Sequence, residues 1–355
     1  MKNTDKLISL ANTDAILIVS EKNRFYFTEF ASTFGYLLLF PDNKSIFITD
    51  PRYYEMAQNL EADGVEVRQI ANGVGASDMI ADILRENGVK TLGFEDTELT
   101  VCDYQALKEQ LADFEFIPVG NHILFVRSFK TAQEIEYIKK AQAATDAAFT
   151  AILSFIRPGV TEREIAIELE YQLQKNGGEG LAFDTIIASG VNSSKPHAHP
   201  TDKVIESGDP VTMDFGARYH GYCSDMTRTV FVGEPDEQLR KIYNIVSLAQ
   251  SMGINSAYTG MSGYELDTAC REIIKANGFG EYFTHSTGHS LGIDIHENPR
   301  ATATSKDVFQ ANQLVTCEPG IYIPGVGGVR IEDMLLFEEN SVIDLTTSDK
   351  HIIIL

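Results

Sequence analysis

Cysteine is scarce and scattered. There are four in 355 residues, Cys102, Cys223, Cys270 and Cys317, and no CxxC pair among them. That spacing gives neither a disulfide framework nor a thiolate zinc site, so reduced thiols in a cytoplasmic protein are expected. Basic charge is also in short supply, 29 Lys and Arg against 51 Asp and Glu, for a formal net charge of −22. A nucleic-acid partner needs clustered Lys and Arg and is excluded on that ground; the acidity reads as solubility. No apolar run approaches the roughly 18 residues of a membrane helix, so no membrane partner is expected. The opening MKNTDKLISLANTDAILIVSE has its apolar core broken by Asp5, Asn12 and Asp14, which does not fit a secretory leader. There is no fixed-period repeat and no low-complexity stretch.

What is present is an ordinary globular balance, 43% apolar and 23% charged residues, in a chain long enough for about two domains. The first third alternates short apolar runs, Ala15–Ser20, Tyr36–Phe40 and Ser45–Thr49, with helical periodicity at Tyr53–Leu60, Ala76–Asn87 and Asp103–Leu111. Such alternation predicts a small α/β domain. After the apolar run Ile123–Val126 the pattern changes to a long helix in SFKTAQEIEYIKKAQAATDAAFTAIL. Domains of residues 1–127 and 128–355 are therefore expected. In the second, Thr161 and Glu164 form a capping-box pattern opening a helix over Glu162–Lys175. Further helices are expected over Gln238–Tyr258 and from Gly263 to Asn277-Gly278, then strands at Val315–Glu318, Gly328–Glu332 and Met334–Glu338.

Chemistry concentrates in this second half. MDFGARYHGYCSDMTRTVF reads as a β-hairpin in which Asp214 and Asp225 are equidistant from a turn centred between Tyr219 and His220. On that register the two carboxylates face each other with Cβ atoms roughly 4.5–5.5 Å apart, a repulsion that a divalent cation relieves. Taken alone, the segment is better explained by two solvent-facing aspartates on an exposed hairpin. A second acidic pair, Glu318 and Glu332 in EPGIYIPGVGGVRIED, flanks a Pro/Gly-rich turn with its midpoint at Gly325. Both sit in otherwise apolar strands, where an unpaired buried charge is costly. Oxygen ligands in two pairs suit two Mn²⁺, Co²⁺ or Zn²⁺ ions.

Three of the eight histidines, His285, His289 and His296, fall within twelve residues in HSTGHSLGIDIHENP. Glycines at 288 and 292 disfavour a regular helix, so this is not the HExxH pattern but an irregular segment presenting imidazoles. A further candidate, His197, lies in the loop-forming ASGVNSSKPHAHP, with His199 beside it read as solvated.

These runs, in order and spacing, resemble the metallopeptidases of the pita-bread fold, the family of methionine aminopeptidase, aminopeptidase P and prolidase. In the first third, ITDPRYYEMA resembles a segment of the creatinase-type N-terminal domain, so the likeness spans nearly the whole chain. It implies an α/β creatinase-type N-terminal domain followed by an α+β pita-bread catalytic domain. It implies Asp214, Asp225, His289, Glu318 and Glu332 as ligands of two divalent ions, with Asp225 and Glu332 bridging. It also implies Glu318 as the general base acting on a metal-bridging water, and His197 and His296 as non-ligand histidines that bind substrate and stabilise the tetrahedral intermediate. By the same likeness His285 belongs to the substrate pocket, and Arg330 is a motif arginine there.

The creatinase-type domain points away from methionine aminopeptidases, and the complete ligand set away from creatinases. Hydrolysis of Xaa-Pro bonds is what remains, and an imide nitrogen without a proton on a fixed ring suits a dedicated pocket. Arg300 is the candidate grip for a dipeptide's free carboxylate, with an exposed loop arginine as the plain alternative. A prolidase acting on dipeptides is the expectation; the alternatives are an Xaa-Pro aminopeptidase acting on longer peptides and a non-catalytic peptide- or protein-binding member of the fold. The resemblance further implies a homodimer.

Overall fold

The short apolar runs of the first third, too short for helices, become three of the six strands of one mixed sheet. In the computed structural model, which describes residues 4–355, the chain divides into two compact units between Arg127 and Ser128. The first holds β1 (Ala15–Ile18), β2 (Tyr36–Leu39), β3 (Ser45–Thr49), β4 (Val65–Gln69), β5 (Thr91–Phe94) and β6 (Glu115–Pro118). Their order is β4-β3-β2-β1-β5-β6, with parallel pairs outside the antiparallel centre. Helices α1 (Thr4–Ala11), α2 (Glu21–Thr28), α3 (Pro51–Ala57), α4 (Ala76–Glu86), α5 (Val101–Gln110) and α6 (Gly120–Ser128) complete it. The helix expected over Tyr53–Leu60 starts two residues earlier, because Asp50 caps it and Pro51 occupies its first turn. It then tightens into a 3₁₀ segment over Gln58–Asp63. The apolar run Ile123–Val126 lies inside α6.

The second unit repeats one theme twice: a pair of packed helices backed by antiparallel hairpins. Helices α7 (Ala132–Ile152) and α8 (Glu162–Lys175) open at capping boxes, Thr131 with Glu134 and Thr161 with Glu164. Their apolar faces, including Ile152, Ile165 and Leu169, bury against Met213, Phe215 and Val230 of the first strand set. That set is β7 (Gly180–Leu181), β8 (Ile186–Ser189), β9 (Pro210–Phe215), β10 (Ala217–Tyr219), β11 (Tyr222–Cys223) and β12 (Met226–Phe231). Helices α9 (Glu237–Ser256) and α10 (Gly263–Ala276), the latter with a third capping box at Ser262 and Glu265, likewise cover a second strand set. It comprises β13 (Gly288–Ser290), β14 (Glu297–Ala301), β15 (Gln313–Cys317), β16 (Gly320–Ile323), β17 (Gly327–Arg330), β18 (Asp333–Phe337) and β19 (Val342–Asp344). Each half thus presents a hairpin whose carboxylates rise from a buried apolar floor. Among the described residues, no helix is long and apolar enough to cross a membrane.

Candidate metal centre

The first acidic pair is set by a tight turn. His220 (φ 45°) and Gly221 (φ 75°) occupy its two central positions, and Tyr219 pairs with Tyr222. Two left-handed residues in a two-residue loop match the twist of the strands, so the turn centres between His220 and Gly221. This corrects the expected register by one residue on each strand. Asp214 lies opposite Thr227, not Asp225. Two residues along the same strand share a face, so Asp225 is the diagonal neighbour of Asp214, and both still line one cavity. Just before it the hairpin narrows: a Cβ on Gly216 would lie 1.9 Å from the Ser224 carbonyl oxygen.

The second pair follows the register predicted from its midpoint at Gly325. Cys317 pairs with Asp333 and Gly320 with Arg330, which sets Glu318 and Glu332 opposite each other between these pairs. The Glu318 amide donates to the Thr287 carbonyl at 2.8 Å, and the Glu332 amide to that of Thr227 at 3.1 Å. The latter bond stitches the two hairpins together.

Geometry separates the three clustered histidines. His289 sits in β13, where a Cβ on Gly288 would lie 1.9 Å from the Thr316 carbonyl oxygen, so only glycine admits this approach. Its Nδ1 donates to the Ser290 carbonyl at 3.1 Å, which leaves Nε2 as the lone-pair nitrogen. That Nε2 stands 3.5 Å from Asp225 Oδ2 and 3.6 Å from Glu318 Oε1. One ligand atom each from Asp225, His289 and Glu332 lies within 4.8 Å of the others. His285 has both nitrogens engaged, Nδ1 by the Ser286 carbonyl and Nε2 by the Tyr322 hydroxyl, each at 2.8 Å. His296 stacks edge-on against His289, ring centroids 4.4 Å apart, on the side facing the cavity.

All ten residues singled out in the sequence, Asp214, Asp225, Glu318, Glu332, His197, His285, His289, His296, Arg300 and Arg330, line one cavity of about 320 Å³. Four of them are carboxylates, with Arg330 buried among them. Arg330 spends all three nitrogens on the protein: Nη2 on Asp214 (2.7 Å), Nη1 on the Tyr322 hydroxyl (2.8 Å) and the Pro196 carbonyl (3.3 Å), Nε on Thr227 Oγ1 (3.0 Å). Given by the resemblance as a motif arginine of the substrate pocket, Arg330 braces Asp214, Tyr322 and Thr227 in this structure. Arg300, on β14, is exposed beside the cavity and its backbone amide bonds Asp307.

Two participants went unnoticed in the sequence. Tyr322 donates to neutral His285 and accepts from Arg330. Thr227 Oγ1 donates to Glu332 Oε2 at 2.7 Å. Strand alternation was the available signal, since Tyr322 lies at an even interval from Glu318 and Thr227 two residues after Asp225.

The donor set fits divalent cations. Burial, then the charges of Glu332, Asp214 and Glu318, push the Asp225 pKa far up. Burial, then Glu318 and Asp214, do the same to Glu332. Burial pushes Glu318 up to about 8. Oδ1 of Asp214 and Oδ1 of Asp225 are buried without a hydrogen-bond partner. Acceptors orphaned among mutually repelling carboxylates are what a bound cation satisfies. Burial, then His296, lower the His289 pKa to about 3, so its imidazole is neutral and free to ligate.

A hydrolytic metal site on paired helix–hairpin halves defines a class, and comparison with known proteins defines it further. Residues 136–339 match Metallopeptidase family M24, and residues 1–129 match the Creatinase/Prolidase N-terminal domain. The Xaa-Pro dipeptidase of Pyrococcus furiosus is 39% identical, with 98% of this chain and 97% of that protein covered. The structure of an Xaa-Pro dipeptidase from Bacillus anthracis superposes with a TM-score of 0.95 at 45% identity, covering 100% of this chain and 99% of that one. An X-Pro aminopeptidase structure from Thermotoga maritima gives 0.93 at 35% identity, covering 99% and 100%. The chain belongs to metallopeptidase family M24: a creatinase-type N-terminal domain followed by a catalytic domain of the pita-bread fold. Divalent metal ions go with that family.

Proposed function

We propose that this protein is an Xaa-Pro dipeptidase, a prolidase, working with two divalent ions, Mn²⁺ first among them. The observation that carries the reading is the convergence of four carboxylates and one neutral imidazole in a single cavity, within a chain that resembles Xaa-Pro dipeptidases along its whole length. Asp214, Asp225, His289, Glu318 and Glu332 would hold the ions. When bound, the ions would acidify a water and polarise the scissile carbonyl. Glu318, on the cavity wall 3.6 Å from His289 Nε2, would take a proton from the attacking water and return it to the leaving imide nitrogen. His197 and His296 face the cavity and donate to the oxyanion. His285, fixed through Tyr322, walls the proline pocket. Arg300 meets the substrate's free carboxylate.

The division of labour is residues 1–127 for the creatinase-like domain and 128–355 for catalysis. The working form is a homodimer in the cytoplasm. The second reading, an Xaa-Pro aminopeptidase acting on longer peptides, draws support from the likeness to the Thermotoga maritima structure. Hydrolysis of Ala-Pro, Leu-Pro and Ala-Pro-Ala by chelated protein, before and after adding Mn²⁺, Co²⁺ or Zn²⁺, tests both. Metal-dependent cleavage of the dipeptides alone supports the first reading, and cleavage of Ala-Pro-Ala alone supports the second. Absence of metal-dependent cleavage of any of them overturns the catalytic assignment.

A further inference from the structure

His197 faces the cavity, yet its ring makes no hydrogen bond among the described residues. Its aim must therefore come from the backbone that carries it. That backbone is the loop from Ser189, at the end of β8, through a 3₁₀ segment Gly190–Ser194 to Thr201. Both stems of the loop end on one side chain. Glu162, the first residue of α8 and fully buried, accepts from the Ser189 amide (2.7 Å) and hydroxyl (2.8 Å) at one stem. It accepts from the Thr201 amide (3.0 Å) and hydroxyl (2.5 Å) at the other, and from Asn192 Nδ2 (3.1 Å) between them.

We propose that Glu162 is a positioning residue for the reaction, clamping the two ends of the 189–201 loop so that His197 is held over the cavity. The proposal rests on the reading of His197 given above. Glu162 is fully buried outside the cavity, and its helix contributes no residue to the cavity's lining, so it has no direct role in binding metal or substrate. Its helix N-terminus already has a cap in Thr161, so capping does not account for it either. Five donors converging on two oxygens leave little lone-pair capacity unused. Burial alone would raise the Glu162 pKa, but the donors of Thr201, Ser189 and Asn192 outweigh it and hold the group below its ordinary value. The clamp is thus an ionised acceptor tied to charge-assisted bonds. The middle of the loop has its own anchors: Ser193 Oγ accepts from the Gly328 amide at 2.8 Å, and the Pro196 carbonyl accepts from Arg330. His197 therefore sits one residue beyond a point tied to the acidic cluster, on a loop whose ends are closed by Glu162.

The test is a double-mutant cycle between Glu162→Gln and His197→Ala in Mn²⁺-loaded protein. It reads kcat and KM on Ala-Pro, with metal content and thermal melting measured alongside. Gln presents an NH₂ group to donors, so it breaks the clamp at nearly constant volume. Glu162→Gln is expected to lower kcat about tenfold to a hundredfold, the scale of a displaced catalytic group, with metal content unchanged. In the His197→Ala background the same substitution is expected to cost no more than about twofold, because its route has gone. An undiminished effect in that background, or a normal kcat for Glu162→Gln alone, overturns the proposal and leaves His197 standing. A normal kcat for His197→Ala overturns the reading of His197 and the clamp's purpose together. Should Glu162→Gln fail to fold, Thr201→Val removes one donor and leaves the carboxylate. It is expected to lower kcat several-fold, with recovery in Thr201→Ser, whereas equal loss in Thr201→Val and Thr201→Ser overturns the proposal.

Discussion

Arg330 Nη2 donates to Asp214 Oδ2 at 2.7 Å while its Nη1 donates to the Tyr322 hydroxyl at 2.8 Å. The cation buried in the cavity is therefore bonded to an acid of the candidate metal centre and, through Tyr322, to His285. One planar group holds a carboxylate at one end and a pocket wall at the other. Its pKa lies far above the ordinary value: burial lowers it, but Tyr322, Asp214, Glu318 and Glu332 more than offset that.

Replacing that fork by a point charge separates geometry from charge. Arg330→Lys keeps the cation but reaches at most part of the Asp214, Tyr322 and Thr227 set. A fall in kcat/KM of about tenfold to a hundredfold is expected, corresponding to about 1.4–2.7 kcal/mol. Tyr322→Phe, which unlinks His285 without touching Asp214, is expected to lose about tenfold or less. Steady-state kinetics at saturating metal decides, and equal losses in the two variants would show that the fork's bond to Asp214 contributes nothing of its own.

Metal removal and pH are linked through the same acids. In the chelated protein Glu318 is pushed up to about 8 from an ordinary value near 4.5, chiefly by burial. Between those two values Glu318 holds more protons in the native state than in the unfolded state, so its contribution to stability falls as pH rises through that window. Divalent metal needs the ionised carboxylates, so its stabilisation grows with pH over the same range. His285 and His289, lowered to about 3, act with the opposite sign below their ordinary 6.5, so melting temperatures of chelated protein are expected to decline from about pH 7 to about pH 8, and to stop declining when Mn²⁺ is added. Glu318→Gln should lessen that decline without abolishing it, since Asp225 and Glu332 are raised as well, and a chelated wild-type curve that rises from about pH 7 to about pH 8 would contradict the assignment.

The fold was legible where local chemistry decides it. The capping box read at Thr161 and Glu164 starts α8 as expected; those at Thr131 and Ser262, which start α7 and α10, follow the same pattern and were not read. Strands β4, β5 and β6 were not read, because Glu66 and Arg68 interrupt the first, Gly93 the second, and Pro118 ends the third. The candidate site was legible as a set of residue types and only partly as geometry. Equal spacing about Gly325 gave the right register for Glu318 and Glu332, because the hairpin there runs without a bulge from Gly320 to Ile323. The same spacing logic misplaced Asp214 and Asp225. The left-handed pair there is His220-Gly221, and the equidistance of the aspartates concealed a diagonal relation. Glu162 was recognised only as the start of a helix, since bonds to Ser189 and Thr201 join residues 27 and 39 positions away.

Arg300 tests substrate length. It lies on the cavity wall in β14, paired across the strands with His289, and its guanidinium forms no ion pair among the described residues. Arg300→Met is expected to raise KM for Ala-Pro about tenfold or more, the value of one charge-assisted contact, with a smaller change in kcat. For Ala-Pro-Ala, whose carboxylate lies one residue farther away, little change is expected. Equal effects on the two substrates would mean that Arg300 does not read the dipeptide's terminus.

Thr227 offers the most selective probe of the candidate metal centre, because it supports Glu332 and Arg330 without lining the cavity itself. Its hydroxyl donates to Glu332 Oε2 at 2.7 Å and accepts from Arg330 Nε at 3.0 Å, while its carbonyl accepts from the Glu332 amide. Thr227→Val is nearly the same size and keeps the backbone bond, so β12 and its packing should survive. What it removes is the one hydroxyl that orients a candidate bridging carboxylate, and it leaves Arg330 Nε buried without its partner. Groups that orient metal ligands from behind are typically worth about tenfold to a hundredfold in affinity. The expected outcome is a metal dissociation constant raised by that factor, with kcat at saturating Mn²⁺ within about threefold of wild type. Titration calorimetry on chelated protein reads the first quantity and saturation kinetics the second. A variant with normal metal affinity but low kcat would instead place Thr227 on the reaction side of the site, and an unchanged variant would show that Glu332 is oriented by the β17–β18 connection alone.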